Sequence, residues 1–176
     1  MSFYVNFVKQ YPILSGIFQF AILGPIGEYL AIKIKKQKWN YNTYQTLLKI
    51  LSWAVLAILI KYAFVGFAGF VKELVADNLL PTNALHGFFN AFLRSTFTNT
   101  MFGPILVLLH RTFDNFIERK NNFLGIKNAL LSLIWFWIPA HTITFILPAY
   151  FQMGLAAIWS LALGLILGIF NKKEEK

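Results

Sequence analysis

The sequence predicts an all-α integral membrane protein, a polytopic bundle of transmembrane helices. Of the 176 residues, 57% are hydrophobic and only 13% are charged, whereas a soluble domain carries about 25% charged and about 45–50% apolar residues. A water-soluble fold would leave apolar patches far larger than monomers tolerate. The apolar residues also form runs near the roughly 20 residues needed to cross a bilayer. Residues 1-176 are therefore expected to form one membrane domain.

Five apolar runs are predicted to span the membrane, at about 13-32, 47-71, 88-110, 129-147 and 149-170. No residue from Ala129 to Phe170 carries a formal charge, and this stretch is too long for one span. Pro148 is expected to divide it by a tight reversal, because proline lacks a backbone donor and disfavours helix at the preceding residue. Four spans, with this stretch partly re-entrant, are the alternative.

Two Gly-Pro pairs, Gly24-Pro25 and Gly103-Pro104, lie inside apolar runs. They are expected to kink membrane helices, where neighbouring groups satisfy the freed carbonyl. The alternative is an unwound ligand site of the transporter type.

The distribution of Lys and Arg predicts the orientation. Five spans place three basic clusters on one side and leave only Lys9 and Lys72 on the other. The clusters are Lys33, Lys35, Lys36 and Lys38; Arg111, Arg119, Lys120 and Lys127; and Lys172, Lys173 and Lys176. In a bacterium or the secretory pathway the basic side, which includes the C-terminus, would be cytosolic, and in an inner mitochondrial membrane it would be the matrix. Since the net charge of +9 lies mostly in loops, nucleic-acid binding is not expected.

Lys61, Arg94 and Glu28 are singled out among the residues of the predicted spans, because ionisable residues are costly in lipid and often functional. Lys61 and Arg94 are expected in the same half of the membrane. Arg94 could extend to the headgroups, the pair could meet lipid phosphate or the acid of a partner subunit, or both could line an anion-selective path. Glu28 is expected at the other level, nearer His110 or Arg111 than Lys61.

His141 lies inside the fourth span with Thr142 and Thr144, and interhelical hydrogen bonding is expected there. No metal site is predicted, since no histidine was expected to share a helical face with another metal-type ligand. The chain has no cysteine, and neither a catalytic triad nor a phosphate-binding glycine loop is evident. The prediction is therefore a non-enzymatic protein without a cofactor, in which a phospholipid such as cardiolipin could be bound.

The last predicted helix carries small residues at every fourth position, which allows close approach of helix backbones. The stripe consists of Ala156, Ser160, Gly164 and Gly168. Its partner helix could belong to this chain or to another subunit. Membrane lipids and other membrane protein subunits are the expected partners.

Several short motifs resemble the Mpv17/PMP22 family of organellar membrane proteins. Glu28 stands in place of an Asp of that family, and Ile138 separates Trp137 from Pro139. The matching positions are Tyr11-Pro12 with Gly27-Glu28, then either Gly66, Asp77 and Pro81 or Gly103-Pro104 with Asp114 and Phe116, and finally Trp137, Pro139-Ala140, Phe145, Pro148 and Trp159.

The resemblance implies a protein of an organellar membrane, most directly the inner mitochondrial membrane, with channel-like activity. Members of the family are usually drawn with four spans. The alternative hypothesis is an accessory structural subunit of a large respiratory or ATP-synthase complex, which the small-residue stripe and the short loops would suit.

Overall fold

A computed structural model describes the backbone of residues 2–34 and 36–174 and the side chains of residues 3–34 and 36–163. This part of the chain is helical and contains no strand. The helices are α1 (Ser2–Gln10), α2 (Pro12–Ile34), α3 (Thr43–Ala76), a 3-10 turn (Thr82–Leu85), α4 (Gly87–Phe97), α5 (Gly103–Glu118), α6 (Ile126–Ser132), α7 (Ile138–Ile146) and α8 (Ala149–Glu174). A first π turn (Thr98–Phe102) joins α4 to α5, and a second (Leu133–Trp137) joins α6 to α7.

Local sequence explains where several helices begin and end. Asn42 and Gln45 form a capping box at the start of α3, each side chain bonding the other's backbone N–H, which satisfies two donors left unpaired at a helix start. Helix α5 ends where Arg119 adopts a left-handed conformation, with φ of 51°. Leu147, directly before Pro148, is extended, so the predicted reversal is confirmed at that point.

The five-span count is not confirmed. Apart from α1 and the 3-10 turn, the described helical segments form five rods, at 12–34, 43–76, 87–118, 126–146 and 149–174. Three of them, Pro12–Ile34, Thr43–Ala76 and Ile126–Ile146, are long and apolar enough to cross a bilayer. The rods also expose large apolar side chains, such as Ile22, Val65 and Ile105. These features indicate an integral membrane protein.

Helix α2 packs between α3 and α8 and closes the bundle around an apolar core. Phe20, Phe64, Phe145 and Met153 are among the buried side chains of this core. A Cβ atom at Gly27 would lie 3.1 Å from the Cα of Leu161, so glycine allows the backbones of α2 and α8 to approach closely.

The two π turns contact each other and share one feature. The N–H of Gly103 bonds the carbonyl of Thr98, and the N–H of Ile138 bonds that of Leu133. In each case the next residue is a proline, whose ring would clash with a carbonyl of a regular α-helix. The wider turn removes the clash, so Gly103-Pro104 continues a helix and is not unwound. Helix α2 likewise continues through Pro25.

Candidate functional site

A group of charged residues around the buried Lys49 joins α2, α3 and α5; we call Glu28, Lys49, His110 and Asp114 the ion cluster. The Lys49 side chain is 2% exposed, and its Nζ lies 2.9 Å from Glu28 Oε2 and 2.8 Å from Asp114 Oδ1. His110 Nε2 lies 3.3 Å from Glu28 Oε1. His110 is therefore a neighbour of Glu28, as expected from the similar depth of the two residues in the predicted spans. A buried ammonium is stable only when its charge is paired and its donors are hydrogen-bonded. The carboxylates of Glu28 and Asp114 pair with the charge of Lys49 and accept its hydrogen bonds.

Neighbouring side chains hold the ion cluster in place. Trp53 Nε1 donates to Glu28 Oε1 at 2.7 Å. The Tyr41 hydroxyl donates to Glu118, and the Tyr41 ring lies 4.6 Å from Lys49 Nζ, a distance typical of a cation–π contact. Both oxygens of Glu28 are therefore engaged by this chain's own donors.

Most of the ion cluster was not predicted from the sequence. The third span was expected to end at residue 110, whereas α5 continues to Glu118. The prediction that no histidine shares a helical face with another metal-type ligand was wrong at His110, because Asp114 follows four residues later. His110, Asp114 and Glu118 recur at this spacing and share one helix face, which was the available signal.

Glu28, His110 and Asp114 are also the residues that could hold a metal, since one ligand atom of each lies within 4.8 Å of the others. In this structure, however, the Lys49 ammonium bonds one oxygen of each carboxylate. The Lys49 ammonium thus already balances part of the negative charge that a metal ion would otherwise neutralise.

A second polar group joins α4, the first π turn and α7; we call Ser95, Asn99 and His141 the histidine cluster. His141 Nδ1 lies 3.2 Å from Asn99 Oδ1, while Asn99 Nδ2 donates to the carbonyl of Ser95 at 2.8 Å. The Ser95 hydroxyl donates to the carbonyl of Ile138 at 2.7 Å. The expected interhelical hydrogen bonding is confirmed at His141 and at Thr144, whose hydroxyl accepts from Trp159 Nε1 on α8 at 3.2 Å. Thr142 donates to a carbonyl of its own helix.

A cavity of about 290 Å³ connects the two clusters. Glu28, His110 and Arg111 line one end, and Thr98, Asn99 and His141 line the other. Thr98 and His110 are twelve residues apart on one rod, which at 1.5 Å per residue is about 18 Å. The wall between them is largely apolar and aromatic, formed by residues such as Phe20, Trp53 and Phe64.

Neither Lys61 nor Arg94 lines this cavity. Arg94 Nη2 donates to the carbonyl of Phe64 at 3.3 Å, and its guanidinium lies 4.4 Å from the ring of Phe145. Lys61 is half-buried. The ionised residues on the cavity wall are instead those near the ion cluster.

Part of the small-residue stripe packs inside this chain. Ala156 is fully buried in the core, and Ala156 and Ser160 both line the cavity. Helix α8 makes its main packing contacts with α2. The surroundings of Gly164 and Gly168 lie outside the described side chains. For its described half, the stripe therefore faces the interior of this bundle.

The comparisons with known proteins identify no relative: no family model, curated protein or solved structure matches the chain.

Proposed function

We propose that this chain is a non-enzymatic, Mpv17/PMP22-like integral membrane protein that acts as a channel for small solutes. One observation carries the proposal, namely the cavity whose wall includes residues of both polar clusters. Its length of about 18 Å is more than half of the roughly 30 Å thickness of the hydrocarbon core. An apolar stretch between two polar ends is a common way to gate a narrow pore, since such a stretch can lose its water.

The geometry changes which residues would set the selectivity of this channel. Lys61 and Arg94 were the candidates for an anion path, but Arg111 and Glu28 are the ionised groups on the cavity wall. Glu28 is already bonded by Lys49 and Trp53. Arg111 is therefore the charge that a passing solute would meet.

The proposal is tested with purified protein in liposomes, by measuring solute flux and single-channel current. Ser160→Phe places a ring in the cavity and should abolish the flux. Ile158→Phe introduces the same ring on the exposed side of the same helix and should leave it intact. Flux no greater than that of empty liposomes, with a correctly folded protein, would refute the channel.

Selectivity is tested with a matched pair of cations. Arg111→Gln should shift the ratio of anion to cation permeability towards cations. Lys61→Ala, which removes a cation away from the cavity wall, should leave that ratio unchanged. A changed permeability ratio for Lys61→Ala, with an unchanged ratio for Arg111→Gln, would instead favour an anion path lined by Lys61 and Arg94.

The proposal places five spans in the mitochondrial inner membrane, with the basic loops and the C-terminus in the matrix. The five helical rods and the three basic clusters support it. Because the chain has no cysteine, single cysteines in exposed loops can be labelled with an impermeant maleimide. Cysteines at Lys38 and Asn121 should react from one side and a cysteine at Asn83 from the other. Labelling of both termini from the same side would contradict five spans.

The alternative, an accessory subunit of a larger complex, rests on the short loops and on the small-residue stripe, of which Ala156 and Ser160 face the interior of this bundle. Migration of a flux-inactive protein with a large complex on native gels would favour it.

A further inference from the structure

Arg111 is a cation of the cavity wall without an acidic partner in the described part of the chain. It is half-buried on α5 and lines the cavity at the end near the ion cluster. No ion pair between described residues includes it. Glu28 lines the same end, but its oxygens are bonded by Lys49 and Trp53. A guanidinium with unused donors suits a carboxylate or a phosphate, which it can bind through two parallel hydrogen bonds.

The surroundings of this end of the cavity are basic. Glu28 is close to the end of α2, and Arg111 lies in the second half of α5, so this end lies towards the connections that follow these two helices. The two acids of the ion cluster are balanced by Lys49 and Arg111. Along the connections, residues 29–48 and 115–128 contain one acid, Glu118, and the cations Lys33, Lys35, Lys36, Lys38, Arg119, Lys120 and Lys127. An anionic group is therefore favoured at this end, whereas no ionised side chain of the described part lines the opposite end.

The cavity is elongated and largely apolar between its ends. Its volume of about 290 Å³ is about twice the roughly 150 Å³ of an apolar cavity that binds benzene, which corresponds to about twelve carbon atoms. Because this volume extends over about 18 Å, a straight chain fits it better than a compact ring. Leu56, Ile60 and Leu106 are among the apolar side chains beside such a chain. A bilayer phospholipid has two long chains, and this volume is too small for both.

We infer that the cavity binds a single-chain amphiphile with an anionic head, such as a fatty carboxylate of about twelve carbon atoms. The head group accepts hydrogen bonds from the Arg111 guanidinium, and the chain lies along the apolar wall towards Phe64. Burial of the chain supplies most of the affinity, and Arg111 fixes its direction. The inference goes beyond the proposed channel, because a bundle that conducts nothing would still hold this ligand. Binding is measured in nanodiscs, which enclose no compartment, and flux in liposomes, so either can fail alone.

The probe is dodecanoate, isotopically labelled at its carboxyl carbon and added to the full chain in phosphatidylcholine nanodiscs. Its carboxyl NMR signal separates protein-bound probe from probe dissolved in lipid, and nanodiscs without protein provide the reference. Arg111→Gln should weaken binding to the protein about tenfold, which is the effect of one hydrogen bond to a charged group. Arg119→Gln is the matched control, since Arg119 is exposed and does not line the cavity, and it should leave the affinity unchanged.

Competition and blocking test the charge of the head and the place of the chain. Unlabelled dodecanoate should displace the labelled probe, whereas dodecyltrimethylammonium, which has the same chain and the opposite charge, should not. Ser160→Phe places a ring in the cavity and should abolish binding, and Ile158→Phe on the exposed side of α8 should not. The inference is overturned if wild type binds no more probe than empty nanodiscs do, if Arg111→Gln and Arg119→Gln bind it equally, or if the cationic amphiphile competes as well as dodecanoate.

Discussion

Lys49 is the side chain whose loss should destabilise the fold most. Its ammonium lies within 3 Å of two carboxylates, those of Glu28 and Asp114, and is almost fully buried. Lys49→Met keeps most of the side-chain volume but removes the charge, which leaves the two acids facing each other with only His110 between them. Removing one partner of a buried ion pair costs about 3–5 kcal/mol, and we expect a loss of that size in the free energy of unfolding.

The measurement is reversible unfolding of the purified protein in mixed micelles, followed by circular dichroism. Lys120→Met is the control, because Lys120 is largely exposed and pairs with Glu118 at 3.5 Å; a surface pair of this kind contributes at most about 1 kcal/mol. In Lys49→Met/Asp114→Asn the net charge of the ion cluster returns to its wild-type value, so part of the lost stability should return. The ion cluster would not be the stabilising element that we describe if Lys49→Met lowered the free energy of unfolding no more than Lys120→Met does. The same would follow if the losses of stability from Lys49→Met and Asp114→Asn were additive in the double variant.

Two further predictions concern packing and pH. A Cβ at Gly24 would overlap the ring of Trp53, whereas one at Gly66 would meet open space. In thermal unfolding, Gly24→Ala should therefore lower the free energy of unfolding by about 1–3 kcal/mol, and Gly66→Ala should raise it by about 0.5–1 kcal/mol. A change in the same direction for both variants would contradict this packing. Burial and the hydrogen bond to Glu118 raise the pKa of Tyr41 above its ordinary value of about 10. Folding thus favours the neutral phenol, and this stabilisation is present below pH 10 and lost as the pH rises further. Wild type should lose stability above pH 10 more steeply than Tyr41→Phe, and parallel curves would rule out the contribution.

The helical class and the reversal at Pro148 could be predicted because they depend on local properties. An uncharged run limits where a chain can leave the lipid, and a proline limits the helix at the residue before it. The predicted helix ends were less accurate: the second span was expected over 47-71, whereas α3 extends over Thr43–Ala76. Hydropathy underestimates the length of a helix whose ends are polar and capped, and Asn42 caps the start of α3.

The ion cluster could not be predicted from hydropathy, since its members come from three helices. Lys49 was inside the second predicted span, yet its partner Asp114 was placed in a loop. Only the packing of α3 against α5 shows that the lysine is neutralised. The spacing of His110, Asp114 and Glu118 on one face of α5 was the one local sign of this interface.

The first π turn also has a consequence for the phase of the rod that contains it. Such a turn holds one more residue than an α-helical turn, so it rotates everything that follows relative to everything that precedes it. Thr98 and Asn99 lie at the start of this turn, and His110 lies after it, yet all three line the same cavity. Deleting one residue between Thr98 and Phe102 would remove the extra residue and turn His110 by about 100° relative to the start of the turn, away from Glu28. In this rod, the addition of a residue to one turn, rather than the identity of any side chain, aligns the two polar clusters.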